Sequence, residues 1–115
     1  LACKYVLKSS SPFFCVMTEF ASVSDSGTKR FVPERFKMSV DQKNVKFGSG
    51  GYLDNAAMEV TRYFSFSSSF YAKTVIGGSD NGVPLAIAKY EPPNFYFSSV
   101  MTDVIDSFHA TCDKF

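Results

Sequence analysis

The stretch Arg35-Phe-Lys-Met-Ser-Val-Asp-Gln-Lys-Asn-Val-Lys-Phe47 carries the clearest structural pattern in the chain. Its apolar residues Phe36, Met38 and Val40 alternate with charged or polar ones, and the same spacing resumes at Val45 after a polar turn. A period of two is the pattern of a β-strand with one buried and one solvent-facing side. The stretch therefore predicts a β-hairpin whose apolar side needs a cover.

The same alternation recurs along most of the chain. Predicted strands cover residues 4–8, 13–20, 60–66, 70–76, 83–88, 94–101 and 104–115. The dipeptide Asn81-Gly82 fits the type I′ turn that joins paired strands, and the only run compatible with a helix, 54–59, is one or two turns long. We expect one all-β domain over residues 1–115 with about eight strands, either a meandering antiparallel barrel or a two-sheet sandwich.

Composition excludes several classes of protein. With 115 residues, of which 45% are apolar and 17% aromatic, the chain is long enough for one substantial core. Its net charge is +1 and its longest run of like charges is the pair Lys29-Arg30, whereas nucleic-acid binders usually carry a basic stripe. No segment approaches the roughly 20 apolar residues of a membrane helix. We expect neither a nucleic-acid partner nor a membrane span.

The first residues, Leu1-Ala2-Cys3, lack a start methionine. Such a beginning is typical of a chain from which an export signal has been removed. We therefore expect a periplasmic or secreted protein.

The cysteines Cys3, Cys15 and Cys112 indicate a disulfide, as is usual in exported proteins. Cys3 and Cys112 have the parity of inward-facing residues on the first and last predicted strands, so we predict a Cys3–Cys112 bond that ties the two ends together. Cys15–Cys112 and Cys3–Cys15 are the alternative pairings. A structural zinc ion normally needs four Cys or His ligands. Since the chain has a single His, we expect no metal site.

No catalytic set is recognisable in the sequence. A cysteine nucleophile needs an imidazole within hydrogen-bond reach, yet His109 and Cys112 fall on opposite faces of one predicted strand. The carboxylates Asp103, Asp106 and Asp113 have no acidic partner at a fixed spacing, which is typical of solvated surface. We expect no catalytic residue, no cofactor and no enzymatic activity.

Phenylalanine is unusually abundant, with 13 residues in the chain. Eight short strands usually need fewer to fill one inner face, so the excess indicates either an interior packed solid with rings or a surface that contacts a ligand or a partner. If a ligand cavity exists, its expected lining is Phe64, Phe66, Phe95, Phe97 and Phe108. If none exists, the same rings fill a dry core.

Residues 94–99 (Asn-Phe-Tyr-Phe-Ser-Ser) and 108–115 (Phe-His-Ala-Thr-Cys-Asp-Lys-Phe), with Cys3 near the start and the hairpin 36–47 between, resemble small exported bacterial β-proteins of unknown function. More broadly, the chain resembles lipocalin-type and fatty-acid-binding-type β-barrels. That resemblance implies a barrel with an internal ligand cavity.

Two classes of function fit these observations. The first is a non-enzymatic exported domain that binds an apolar small molecule or a protein partner through its surplus aromatic residues. The second is a structural subunit of a surface layer, filament or particle, a homo-oligomer that uses edge strands and aromatic residues between copies.

Overall fold

A computed structural model of the chain describes residues 11–74, 85–100 and 103–114. These residues form strands and turns, without a helix. The nine strands are β1 (Ser11–Ser24), β2 (Gly27–Arg30), β3 (Arg35–Val40), β4 (Asn44–Phe47), β5 (Ala57–Phe64), β6 (Ser69–Thr74), β7 (Leu85–Glu91), β8 (Asn94–Val100) and β9 (Val104–Lys114). The all-β prediction is confirmed.

The strands close into a barrel rather than a sandwich. From β3 to β9 each strand pairs with the next, and β1 pairs with both β3 and β9, so eight antiparallel strands form a closed ring. The ninth strand, β2, is an extra strand that pairs only with the second half of β1, at residues 21–24. Closure removes the open edges that the sheet would otherwise expose.

The predicted hairpin is present as β3 and β4. Phe36, Met38 and Val40 face the interior, and Met38 lies directly opposite Phe47 of β4. The turn between the strands is held by Asp41, whose Oδ1 accepts hydrogen bonds of 2.7 Å from the backbone N–H groups of Lys43 and Asn44. Those two N–H groups lower the pKa of the Asp41 carboxyl.

Two β-bulges change which residues face the interior. Thr18 is an extra residue between Met17 and Glu19 of β1, and Thr61 is an extra residue in β5. Each threonine hydroxyl lies 3.2 Å from a backbone carbonyl of the opposing strand, at His109 and Tyr71 respectively. After a bulge the alternation continues with the opposite parity.

The first bulge changes the faces of β1. Strict alternation would put Phe20 on the same face as Phe14 and Val16, but Phe20 is buried together with Cys15 and Met17. In β5 the second bulge turns Tyr63 toward the core and leaves Phe64 outside.

The barrel interior is packed with aromatic rings over most of its length. Phe36 has ring contacts with Phe47, Phe95 and Phe108 at centroid distances of 5.6–5.8 Å. Rings at these separations favour the edge-to-face and tilted contacts seen here, which add to the stabilisation from burial.

The two ends of the barrel differ in their turns. At one end, here called the closed end, lie the β3–β4, β5–β6 and β7–β8 turns, the last formed by Pro92 and Pro93 with a cis peptide bond between them. At the other end, the mouth, β4 is joined to β5 by residues 48–56. The run 54–59, compatible with a short helix by its sequence, forms none: residues 52–55 form turns, and β5 begins at Ala57.

A disulfide joins the first described strand to the last. Cys15 and Cys112 are directly opposite on β1 and β9, with an S–S distance of 2.07 Å. The prediction that Cys112 pairs with Cys3 is therefore wrong, and the alternative Cys15–Cys112 pairing is present, because barrel closure makes β1 the neighbour of β9. Cys3, the predicted strand 4–8 and the Asn81-Gly82 turn lie outside the described residues.

Candidate functional site

A cavity of about 370 Å³ lies inside the mouth of the barrel. Its volume is within the range of sites that hold small organic ligands. The lining comes from six strands and the β4–β5 connection: Phe47, Tyr52, Leu53, Ala56, Ala57, Met58, Thr74, Ala86, Phe97, Ser99 and Asp106.

The space exists because small side chains face the interior here. On β7 the inward positions are Ala86 and Ala88, while the larger Leu85 and Ile87 point outward and are 60% and 63% exposed. A wall of alanines leaves volume that leucine and isoleucine would fill.

The β4–β5 connection brings Tyr52 over the mouth. The Tyr52 backbone N–H donates a 2.9 Å hydrogen bond to Glu34 Oε1. Gly51, just before it, has a φ of +78°, and a Cβ at this position would lie 2.6 Å from the same Glu34 oxygen. The backbone conformation therefore favours glycine, and a larger residue would also displace the Glu34 carboxylate that holds Tyr52.

Three polar side chains meet at the cavity. The Tyr52 hydroxyl donates to Asp106 Oδ2 at 2.9 Å and lies 3.0 Å from Ser99 Oγ. Because a phenol has one proton, the Ser99 hydroxyl is the donor in the second bond. Ser99 and Asp106 are directly opposite on β8 and β9, which sets the two groups side by side.

Burial raises the pKa of Tyr52 to about 12. The Ser99 hydrogen bond acts in the opposite direction, and the Asp106 carboxylate adds to the increase through its hydrogen bond and its charge. Tyr52 is therefore a neutral hydrogen-bond donor throughout the physiological pH range.

The described residues that line the cavity carry a negative charge at Asp106 and include no Lys, Arg or His. Among the described residues, the ion pairs are Arg30–Glu19 and Lys89–Glu91, both on the outside of the barrel. The hydrogen-bond partner of the Asp106 carboxylate is the neutral Tyr52 hydroxyl.

The structure separates the five phenylalanines predicted to line a cavity. Phe97 borders the cavity and stacks on Phe108 at 4.9 Å, with Phe95 fully buried behind them. Phe64 is exposed and packs against Tyr71 on the outer face, while Phe66 in the β5–β6 turn is fully exposed. The expectation that Phe64 and Phe66 face the interior is wrong, because the Thr61 bulge reverses the parity of the strand end.

Sequence reasoning missed the polar members of the site. Asp106 has the same parity on β9 as Phe108, Ala110 and Cys112, so a carboxylate on the apolar face of a predicted strand was the available signal. Tyr52 follows a glycine-rich turn, and no period marks it as part of the lining.

A second depression, of about 570 Å³, lies on the outer face of β5 to β8, around Ile87. It is larger than the mouth cavity, but the charge of Lys89 in its lining already has partners. Lys89 pairs with Glu91 at 3.6 Å and lies 6.0 and 5.9 Å from the ring centroids of Tyr71 and Tyr96. The mouth cavity, with inner barrel walls and convergent polar groups, is the stronger candidate for a ligand site.

His109 is held on the outer face by two hydrogen bonds. Its Nδ1 lies 2.6 Å from Thr18 Oγ1 and its Nε2 lies 2.9 Å from Asn94 Oδ1. The Asn94 Oδ1 atom is an acceptor, so Nε2–H donates to it. The arrangement fixes the orientation of the ring beside Tyr96, which is 5.1 Å away.

No group of three or more His, Cys, Asp or Glu residues within residues 11–74, 85–100 and 103–114 is arranged to hold a metal ion. In the same part of the chain, no helix is long and apolar enough to cross a membrane.

No protein-family model matches the sequence, and neither a curated protein nor a solved structure matches it. The barrel is compatible with the lipocalin-like architecture that the sequence resembles.

Proposed function

We propose that this protein binds a small, mainly apolar organic molecule in the mouth cavity and does not convert it chemically. The observation that carries the proposal is the cavity of about 370 Å³, in which apolar walls surround three converging polar groups. Ligand sites in proteins typically combine a concave apolar lining with a few placed polar groups that fix the orientation of the ligand.

The disulfide supports an oxidising, exported environment for this activity. Cys15–Cys112 joins two neighbouring strands in the barrel interior, and such bonds persist mainly in secreted and periplasmic proteins. An exported barrel of this size is suited to capturing a small molecule outside the cytoplasm.

A fluorescent probe tests the proposal. N-phenyl-1-naphthylamine, a neutral aromatic molecule whose emission rises in apolar surroundings, is expected to bind the wild-type protein with one site. Ala86→Phe places a ring in the cavity and is expected to weaken probe binding at least tenfold. Ile87→Phe adds a ring on the adjacent outward position and serves as the matched control, with binding unchanged.

Absence of probe binding to the folded wild type contradicts the proposal. So does weakening by Ile87→Phe without weakening by Ala86→Phe, because that result places the probe on the outer face rather than in the mouth. Circular dichroism melting of each variant confirms that the barrel is folded in the binding assay.

A second candidate function is self-association as a structural subunit. Leu85, Val100, Ile105 and Val23 are directly opposite one another across β7, β8, β9 and β1, and each is 43–60% exposed. A continuous outward apolar row of this kind is typical of a contact between copies. Sedimentation velocity that gives a monomer at high protein concentration, unchanged in Ile105→Lys, removes this candidate.

A further inference from the structure

We infer that the ligand of the mouth cavity carries a protonated amine, which the Asp106 carboxylate binds. The inference rests on the proposed function and assigns the chemical class of its ligand. The ammonium group lies against Asp106 and Ser99, and the apolar body of the ligand extends along the alanine and phenylalanine walls.

The cavity carries a negative charge on the Asp106 carboxylate. Asp106 Oδ2 accepts a hydrogen bond from Tyr52, and no cation among the described residues pairs with this carboxylate. A partly buried carboxylate whose partners are all neutral loses hydration without gaining an opposite charge. A ligand ammonium supplies that charge together with three N–H donors.

Hydrogen bonds fix the orientation of the Asp106 carboxylate. The Tyr52 hydroxyl donates a hydrogen bond to Asp106 Oδ2, and the Ser99 hydroxyl on the neighbouring strand is hydrogen-bonded to the Tyr52 hydroxyl. The Asp106 carboxylate is therefore oriented before a ligand enters. A preorganised acceptor binds a charged donor with less loss of side-chain freedom than a mobile surface acid does.

Aromatic rings form the cavity wall next to Asp106. Tyr52 and Phe97 both line the cavity, with ring centroids 6.0 Å apart and planes at 87°. The faces of such rings attract cations, and the attraction strengthens where water is excluded.

The same charge disfavours anionic ligands. A fatty acid or another carboxylate in this cavity would bring its own negative charge against Asp106, and the described lining residues include no Lys, Arg or His to offset it. The resemblance to fatty-acid-binding barrels therefore does not extend to the head group of the ligand. The volume of about 370 Å³ is near the lower limit for organic ligands, which fits one aromatic ring on a short chain.

Three probes that share one phenylethyl body isolate the head group. These are 2-phenylethylamine, 2-phenylethanol and 3-phenylpropanoate, each used at pH 7 to displace N-phenyl-1-naphthylamine from the wild-type protein. The amine is expected to bind about 10- to 100-fold more tightly than either of the others, the range for a hydrogen bond to a charged group. Equal binding of amine and alcohol, or tighter binding of the carboxylate, overturns the inference.

Asp106→Asn keeps the shape of the side chain, removes its charge, and is expected to abolish the preference for the amine. Asp103→Asn removes the same charge from an exposed position in the β8–β9 connection and is expected to keep it. Asp106→Ser is a second variant that removes the charge, and it is expected to abolish the preference as well if Asp106→Asn fails to fold. A preference that survives in a folded Asp106 variant, or disappears in Asp103→Asn, overturns the inference.

The two proposals fail differently in this experiment. If N-phenyl-1-naphthylamine binds but none of the three phenylethyl probes displaces it, the amine assignment is wrong and small-molecule binding stands. If N-phenyl-1-naphthylamine itself does not bind the folded wild type, the proposed function is wrong as well.

Discussion

The closed end and the mouth are built on the same strands but are filled in opposite ways. At the closed end, Tyr90 contacts Phe13 and Phe70 at 5.3 and 5.5 Å, and the pocket beside these rings has a volume of only about 20 Å³. At the mouth, the corresponding space is about 370 Å³. One end of the barrel therefore stabilises the fold, and the other end leaves room for a ligand.

The difference develops along two neighbouring strands. Phe70 of β6 lies opposite Tyr90 of β7, and one step toward the mouth Ala72 lies opposite Ala88. The volume of the inward-facing side chains thus falls sharply from one inward-facing cross-strand pair to the next, whereas the backbone pairing of the two strands stays the same. Side-chain size alone, on an otherwise regular sheet, decides where a barrel is solid and where it is hollow.

The largest expected effect is at the disulfide, which lies in the packed part of the barrel. Replacing both cysteines, Cys15→Ala with Cys112→Ala, should lower the free energy of unfolding by about 4–5 kcal/mol in the chain-entropy model, because the bond spans 97 residues of sequence. Urea unfolding without reductant measures the loss. Probe binding at the mouth should be retained wherever the variant is still folded. A loss below about 1 kcal/mol would show that strand pairing alone closes the barrel.

A pair of phenylalanine truncations compares the two ends directly. Phe70→Ala, at a residue that is 1% exposed, should cost about 3–5 kcal/mol. Phe97→Ala should cost about 1–2 kcal/mol less, because its ring already borders empty space and the deletion creates less new cavity. Only Phe97→Ala should change the affinity for N-phenyl-1-naphthylamine. Equal costs with no change in affinity would mean that the mouth is packed as tightly as the closed end.

The smallest expected effect is a pH dependence of the free energy of unfolding that arises from Tyr52 at the mouth. The pKa of Tyr52 is raised from 10.0 to about 12, so the folded state holds the phenol proton more tightly than the unfolded state does. The resulting stabilisation is complete below pH 10 and is lost as the pH rises toward 12.

Because Tyr52 is only partly buried, the loss should not exceed about 1.5 kcal/mol. Thermal or urea unfolding of wild type and Tyr52→Phe at pH 9 and pH 11.5 measures it as a difference, in which the other tyrosines and the lysines cancel. Parallel pH profiles for the two proteins would contradict the burial of the Tyr52 hydroxyl.

The sequence predicts the strands well because an alternating pattern is a local property. The hairpin 35–47 was predicted from neighbouring residues and is present in the barrel. The choice between barrel and sandwich depends on whether β1 pairs with β9, and no local pattern encodes that contact.

Residues beyond a bulge could not be assigned from alternation. One extra threonine in β1 and one in β5 reverse the faces that follow, which moved Phe20 inward and Phe64 outward. The candidate site was missed for a related reason, since its polar groups come from a loop and two strands that closure brings together. Phe97 and Phe108 were placed correctly in the interior because β8 and β9 pair with each other without a bulge.

Because apolar residues occupy both faces of β7, this strand could in principle pair in two registers that give different barrel interiors. A slip of this strand by one residue would exchange its faces and carry Leu85 and Ile87 into the barrel interior in place of Ala86 and Ala88. It would also bury the ammonium group of Lys89 and expose the ring of Tyr90, both of which are costly. Lys89 therefore disfavours the slipped register, in which larger side chains would fill the interior. An apolar substitution at this position would reduce the free-energy difference between the two registers without changing the cavity lining.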